Sequence, residues 1–334
     1  MKSSRKSLFS KILNYRQSGL ILALIILLIG AGIFTRSFYS LKSISSMLTN
    51  NSVYAVLAVG IMFVLLTGGI DISIGSILAV SGVTVTKLAT TYQSVSPFIW
   101  VITGIAVGCI CGLINGYLVG KLKIVPMIVT LGTMYVFRGF AYVISGGKWT
   151  FSHKFPDSFM NLTQKTFFGF RFIVLWVIVL FVVSGLFLSF TRPGRRLYAI
   201  GTSKESAEIS GINTDKFYIL AYVLCGACAG LAGVLYSSNY VMVNSDIGTG
   251  YEMTAIAICI LGGVSITGGR GRIDGLAISS ILMSVITYLL SLLENFSVWQ
   301  NALHGIIILV AVAVNLLSGR IAEKGMLKEK EALI

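Results

Sequence analysis

Apolar runs near twenty residues long recur ten times along this chain. They lie at about 19–35, 53–68, 74–90, 98–120, 125–145, 172–190, 217–238, 251–265, 275–293 and 299–318. A helix of that length crosses the ~30 Å hydrocarbon core of a bilayer. Lipid supplies no partners for backbone groups, so a spanning segment must satisfy its own hydrogen bonds. A β-barrel would instead show segments of about ten residues with alternating hydrophobicity, and this sequence has none. The expectation is an all-α, polytopic membrane helical bundle of about ten transmembrane helices in contact with membrane lipid. Ten such spans occupy about 200 residues, which leaves little of the 334 for a soluble domain. The chain divides into an N-terminal tail (1–18), a transmembrane domain (19–318) and a C-terminal tail (319–334).

Only 11% of residues are charged, against about 25% in soluble domains. The formal net charge of +14 does not mark a nucleic-acid binder, because the basic residues sit between and beside the spans. There they act as orientation signals. With the N-terminus inside, the inner segments carry Lys121, Lys123, Arg192, Arg195, Arg196, Lys204, Lys216, Arg270 and Arg272 in addition to the two basic tails. That makes eighteen basic residues inside, against six in the outer segments. The asymmetry predicts both termini in the cytoplasm and an even number of spans. The basic head followed by the run from Gly19 reads as an uncleaved first span rather than a signal peptide, since no clear small-x-small cleavage site follows.

The sequence offers no catalytic constellation. His153 and His304 are its only histidines, and it has no phosphate-binding loop, no G-x-S-x-G and no Cys/His metal-ligand spacing. GGRGRIDG (268–275) lacks the strand and helix of a nucleotide-binding fingerprint. Cys225-Gly-Ala-Cys228 has redox-motif spacing but lies within an apolar helix, so its small residues read as packing groups, and the same holds for Cys109, Cys111 and Cys259. The chain needs no cofactor of its own and is not expected to be an enzyme.

A polar stretch, 191–216, separates two apolar runs and carries its own helix signals. Thr202 is placed to cap a short helix, with Glu205 three residues on as a capping-box partner. Gly211 is placed to stop it, and Asn213 and Asp215 suit the start of the next span. About eight helical residues rise only ~12 Å, so this helix lies outside the bilayer, where a partner protein can push on it.

Two spans look interrupted, at Leu66–Gly75 and at Gly262–Gly271. Irregular backbone at membrane depth is tolerated where protein or a watery cavity covers it, and paired interruptions can mark a transport pathway. Ordinary tight turns between helices are the alternative. The run 251–265 is short enough to be re-entrant. Arg138 lies inside a span and should face the bundle interior with a partner; Asp71 is the first candidate and Glu252 the second. Asn115 reads as an interhelical hydrogen-bonding group.

Four segments resemble the ribose-type ABC transporter permeases, bacterial importers of the monosaccharide and branched-chain amino acid group. These are LTGGIDISIGS (66–76), LGTM (131–134) with Arg138-Gly139, GRRLYAIG (194–201) continuing through Glu205, Ala207 and SGIN (210–213), and GYEM (250–253) with LGGVS (261–265) and GGRG (268–271). The likeness covers roughly residues 45–318. Lys204 and Ser206 depart from the family's usual Glu and Ala.

The resemblance implies a bundle similar to the type II importers. It implies ATPase subunits that bind ATP and Mg on the cytoplasmic side, an extracytoplasmic sugar-binding protein, and a second permease copy or homologue, all in the bacterial inner membrane. It also implies a coupling helix at 203–212, with Glu205, Ser206, Ala207, Glu208, Gly211 and Ile212 carrying ATPase coupling. Gly69, Asp71, Ser73, Asn115, Arg138 and Glu252 are the candidates for the pathway or a structural switch. The loop GGKWT (146–150) to FPDS (155–158) is similar to loops of deoxysugar and autoinducer-2 permeases. The expected cargo is a monosaccharide, with autoinducer-2, nucleosides and branched-chain amino acids as alternatives. An ion-coupled secondary transporter and a purely structural membrane scaffold are the readings from other classes.

Overall fold

Periodic apolar runs bounded by proline, glycine and small polar caps become long helices separated by short breaks. The computed structural model describes residues 18–34, 37–291, 302 and 305–306. In chain order the helices are α1 (Ser18–Phe34), α2 (Leu41–Leu66), α3 (Ile74–Thr91), α4 (Pro97–Gly120), α5 (Pro126–Ser145), α6 (Asp157–Gln164), α7 (Phe172–Phe190), α8 (Arg192–Thr202), α9 (Lys204–Ile209), α10 (Thr214–Tyr240), α11 (Tyr251–Leu261) and α12 (Ile273–Ser291). A one-turn 3-10 helix (Ser152–Lys154) and four two-residue strands complete the described elements, the strands being β1 (Thr150–Phe151), β2 (Thr166–Phe167), β3 (Phe170–Arg171) and β4 (Met242–Val243). β1 pairs antiparallel with β4, and β2 with β3.

Among the described residues, seven helices are long and apolar enough to cross a membrane: α2, α3, α4, α5, α7, α10 and α12. The chain is a multi-pass membrane bundle, but these seven fall short of the ten spans expected. The run 251–265 yields only eleven helical residues before Gly262 ends α11, a rise of about 17 Å that cannot cross. The first run gives the 17-residue α1, whose apolar part is Gly19–Ile33. The tenth run and both tails lie almost wholly outside the described residues.

α10 occupies the centre, packed against α2, α3 and α4. Its contact with α4 is backbone on backbone. Gly104, Gly108, Gly112, Gly116 and Gly120 recur every fourth residue along α4, which brings them onto one face. A Cβ on Gly108 would strike the carbonyl oxygen of Gly226, and one on Gly226 the carbonyl oxygen of Gly108. A Cβ on Gly230 would likewise strike Gly104 O, and one on Gly104 would strike Val234 Cγ2. Membrane helices use small residues to approach this closely, since lipid supplies no hydrophobic drive between them. By contrast, α4, α5 and α7 turn Ile102, Ile110, Ile128, Val143, Val179 and Leu186 outward, as lipid contact requires.

Candidate functional site: a junction of broken helices and an outlying short helix

The interruption after α2 is a buried junction. Leu66 ends the helix, Gly68 takes a left-handed φ of +79°, and the chain reaches Ser73 through Ile70 and Asp71. The Ile70 carbonyl accepts from Tyr222 Oη at 3.1 Å. Tyr222 lies eight residues into α10, about 12 Å from its start, so the break sits at membrane depth, covered by protein. Asp71 Oδ1 accepts from the Ser73 amide at 2.9 Å and from Ser73 Oγ at 2.6 Å. Asn115 Nδ2, on α4, donates to the same Ser73 Oγ at 2.8 Å. Asp71, Ser73 and Asn115 are all fully buried. Gly69 belongs here too, since a Cβ on it would lie 3.0 Å from Tyr222 Oη. The expectation for Asn115 as an interhelical hydrogen-bonding group holds.

The second interruption meets the first. Gly269 N donates to Leu66 O at 3.0 Å, and a Cβ on Gly68 would lie 3.3 Å from Thr267 O. Gly201, near the end of α8, wedges into this meeting point: a Cβ there would overlap both Leu66 O and Gly269 N. Tyr198 Oη, one turn earlier, donates to Gly271 O at 3.0 Å, and burial holds its phenol above the usual range. The two glycine-rich breaks are therefore one joint, with α8 as its third member.

Arg138 takes different partners from those expected. Its Nη1 donates to Ser245 O and Ile247 O, each at 2.7 Å. Asp246 and Glu252 are the carboxylates that act on its charge, so Glu252 is near it and Asp71, held by Ser73, is not its partner. The reason is the segment between α10 and α11. From β4 it folds back into the bundle, so that a Cβ on Gly75 would strike Gly248 O and lie 2.7 Å from Glu252 Oε2. Its carbonyls need donors there, and the arginine supplies them. A loop rich in Asn, Ser, Asp and Gly gives no sign in sequence of dipping inward.

The polar stretch 191–213 holds two helices rather than one. Thr191 caps α8, accepting from Gly194 N at 3.1 Å, with Pro193 in the first turn. Thr202 does not cap the short helix; it closes α8 and donates from Oγ1 to Tyr198 O at 2.9 Å. Ser203 is the cap of α9, accepting from Ser206 N at 3.2 Å and approaching Glu205 Oε2 at 3.4 Å. The helical register of α8, set by the Thr191-Arg-Pro start, shifts the cap by one residue. Gly211 terminates α9 with φ +78°, and Asn213 caps α10 by accepting from Lys216 N at 3.1 Å.

On α9 the residues divide by face. Ala207 is buried, while Glu205, Ser206 and Glu208 are exposed. Glu208 Oε1 accepts from Thr214 Oγ1 at 2.7 Å, and Ile212 N donates to Ala207 O at 3.0 Å. Ile209, not singled out in the sequence, is 88% exposed. Arg196 of α8 lies over the Phe217 ring of α10 at 5.5 Å. At the same end, Lys123 pairs with Asp215. Among the described residues, no group of three or more His, Cys, Asp or Glu is placed to hold a metal.

The polar stretch thus holds a short helix, α9, beyond the spans, preceded by α8, which meets the joint of broken helices. Residues 43–312 match the family described as branched-chain amino acid transport system / permease component. The chain belongs to this permease family. The permease is 36% identical over 297 residues to the ribose import permease protein RbsC of Bacillus subtilis (strain 168), covering 89% of this chain and 92% of the relative. Against RbsC of Escherichia coli (strain K12) the identity is 32% over 321 residues, covering 93% and 97%. Against the autoinducer 2 import system permease protein LsrC of Escherichia coli O9:H4 (strain HS) it is 32% over 322 residues, covering 96% and 92%. No solved structure matches the permease significantly. It is a permease component of a binding-protein-dependent ABC importer, a transport subunit and not an enzyme.

Proposed function

We propose that this permease carries a monosaccharide inward across the bacterial cytoplasmic membrane, driven by separate ATPase subunits that bind ATP and Mg. The ATPases dock on α9 at the cytoplasmic face, and an extracytoplasmic sugar-binding protein delivers the cargo at the other. A second copy or a sister permease completes the pathway, and both termini are cytoplasmic. The observation that carries this reading is the α9 lever. It offers Glu205, Ser206, Glu208 and the apolar Ile209 to a partner, and it is anchored by Ala207. Gly211 and Ile212 then return the chain to α10.

Displacement of α9 reaches the spans by two routes. One passes through Glu208, Thr214 and the start of α10. The other passes through α8 to Gly201 and the joint of Leu66 with Gly269. The second route reaches α2 and, through Gly69, Asp71, Ser73 and Asn115, the start of α3 and the middle of the bundle. Arg138 and Glu252, around the inward-folded loop, line the next segment of the pathway. Packed elements respond to such a push by switching between discrete arrangements. Alternating access follows when the joint rocks.

Cysteines introduced by Glu205→Cys and Ile209→Cys should cross-link to a nucleotide-hydrolysing subunit in the intact assembly. Failure of both to capture one sinks the lever reading. Imposed proton or sodium gradients without ATP should drive no uptake; gradient-driven uptake would favour the ion-coupled alternative.

A further inference from the structure

We infer that Tyr54, Tyr236, Tyr240 and Tyr251 form the cargo-contact site of the pathway, built to take the ring of a neutral sugar. The inference rests on the monosaccharide reading above and narrows the site to these four side chains.

The four rings come from three helices and converge. Tyr54 and Tyr251 have centroids 4.3 Å apart, Tyr236 and Tyr240 4.7 Å, and Tyr236 and Tyr251 6.2 Å. Tyrosines of an interfacial belt point outward to lipid headgroups; these pack on one another where three helices meet. Tyr54, Tyr236 and Tyr251 are half-buried and Tyr240 is 37% exposed, so the cluster is reachable rather than sealed.

Its chemistry suits a polyhydroxylated ring. Aromatic faces accept the C–H face of a sugar, and phenols exchange hydrogen bonds with its hydroxyls. Each phenol can donate one hydrogen bond and accept others. One turn before Tyr54 on α2, the buried Asn51 presents an unpartnered Oδ1. Asn51 also lines a small hollow of about 40 Å³ with Met47, Asn50, Ser284, Thr287 and Tyr288.

The site should hold its cargo weakly, because a pathway that binds tightly does not release.

The test uses proteoliposomes of the complete importer, with its ATPase and binding protein, and radiolabelled D-ribose, D-galactose, L-rhamnose and L-leucine. Tyr54→Leu and Tyr236→Leu should lower uptake of the accepted sugar by about tenfold, with assembly and basal ATP hydrolysis unchanged. Tyr54→Phe and Tyr236→Phe, which keep the ring, should retain most of it. Wild-type uptake in the leucine variants, or equal loss in the phenylalanine variants, overturns the inference. If a leucine variant fails to assemble, Tyr54→Trp and Tyr236→Trp decide: they should reorder the sugars by KM, and an unchanged order overturns it. A wild-type importer that moves L-leucine and none of the sugars defeats the monosaccharide reading itself, a result distinct from either.

Discussion

Replacing Gly201 by alanine drives a methyl group into two neighbours at once, Leu66 O and Gly269 N. Both are backbone atoms, so neither can swing aside as a side chain would. Comfortable non-bonded separations are near 3.5 Å, so α8 must withdraw by about 1 Å or more. Overpacking of this kind costs about 1–3 kcal/mol. Losing the Gly269–Leu66 hydrogen bond adds about 1 kcal/mol. A total of about 2–4 kcal/mol shifts the opening equilibrium of the joint by roughly 30- to 1,000-fold. The spans themselves should persist, since the α4–α10 glycine contact lies elsewhere in the bundle. Gly201→Ala should therefore leave assembly and ATP hydrolysis in place while the cargo moved per ATP falls sharply. Amide exchange across 262–272 should quicken in parallel. An unaltered transport-to-hydrolysis ratio together with wild-type exchange would refute the argument that α8 acts through this joint.

Other substitutions probe the same architecture. Gly211→Val meets no steric obstacle but forces a β-branched residue to φ +78°; at about 1–2 kcal/mol it should fray the end of α9 and uncouple hydrolysis from uptake with assembly intact, and unimpaired transport would count against it. Asn115→Ala removes a fully buried bond to Ser73 and should cost about 1–3 kcal/mol, read as a lower thermal midpoint in detergent. Asp215→Asn breaks a solvent-exposed ion pair with Lys123 and should change stability by less than about 1 kcal/mol, with little difference between low and high salt; a large salt-dependent loss would mean the pair is more shielded than its exposure indicates.

Much of the short helix α9 was legible in sequence because capping is local. Gly211 and Asn213 act within a turn of themselves, and both perform the expected role. The shift from Thr202 to Ser203 was not legible, since it depends on where the preceding helix α8 begins and in what register it runs. The short α11 was not legible for a related reason: hydropathy marks apolar length, and 251–265 is apolar whether or not Gly262 breaks the helix. The every-fourth glycines of α4 could have been read as a packing face, but their partner could not.

From its own residues the chain determines that it lives in lipid, that it is helical, and that a short capped helix stands outside the spans. These depend on transfer from water and on hydrogen bonds between near neighbours, both set within a few residues. Tertiary structure alone decided that the breaks after Leu66 and after Leu261 are one joint closed by Gly201. It also decided that Arg138 serves the carbonyls of Ser245 and Ile247, and that four tyrosines from α2, α10 and α11 meet. Those outcomes depend on how closely separate backbones approach and which polar groups that approach leaves in need of a partner, quantities no local pattern encodes.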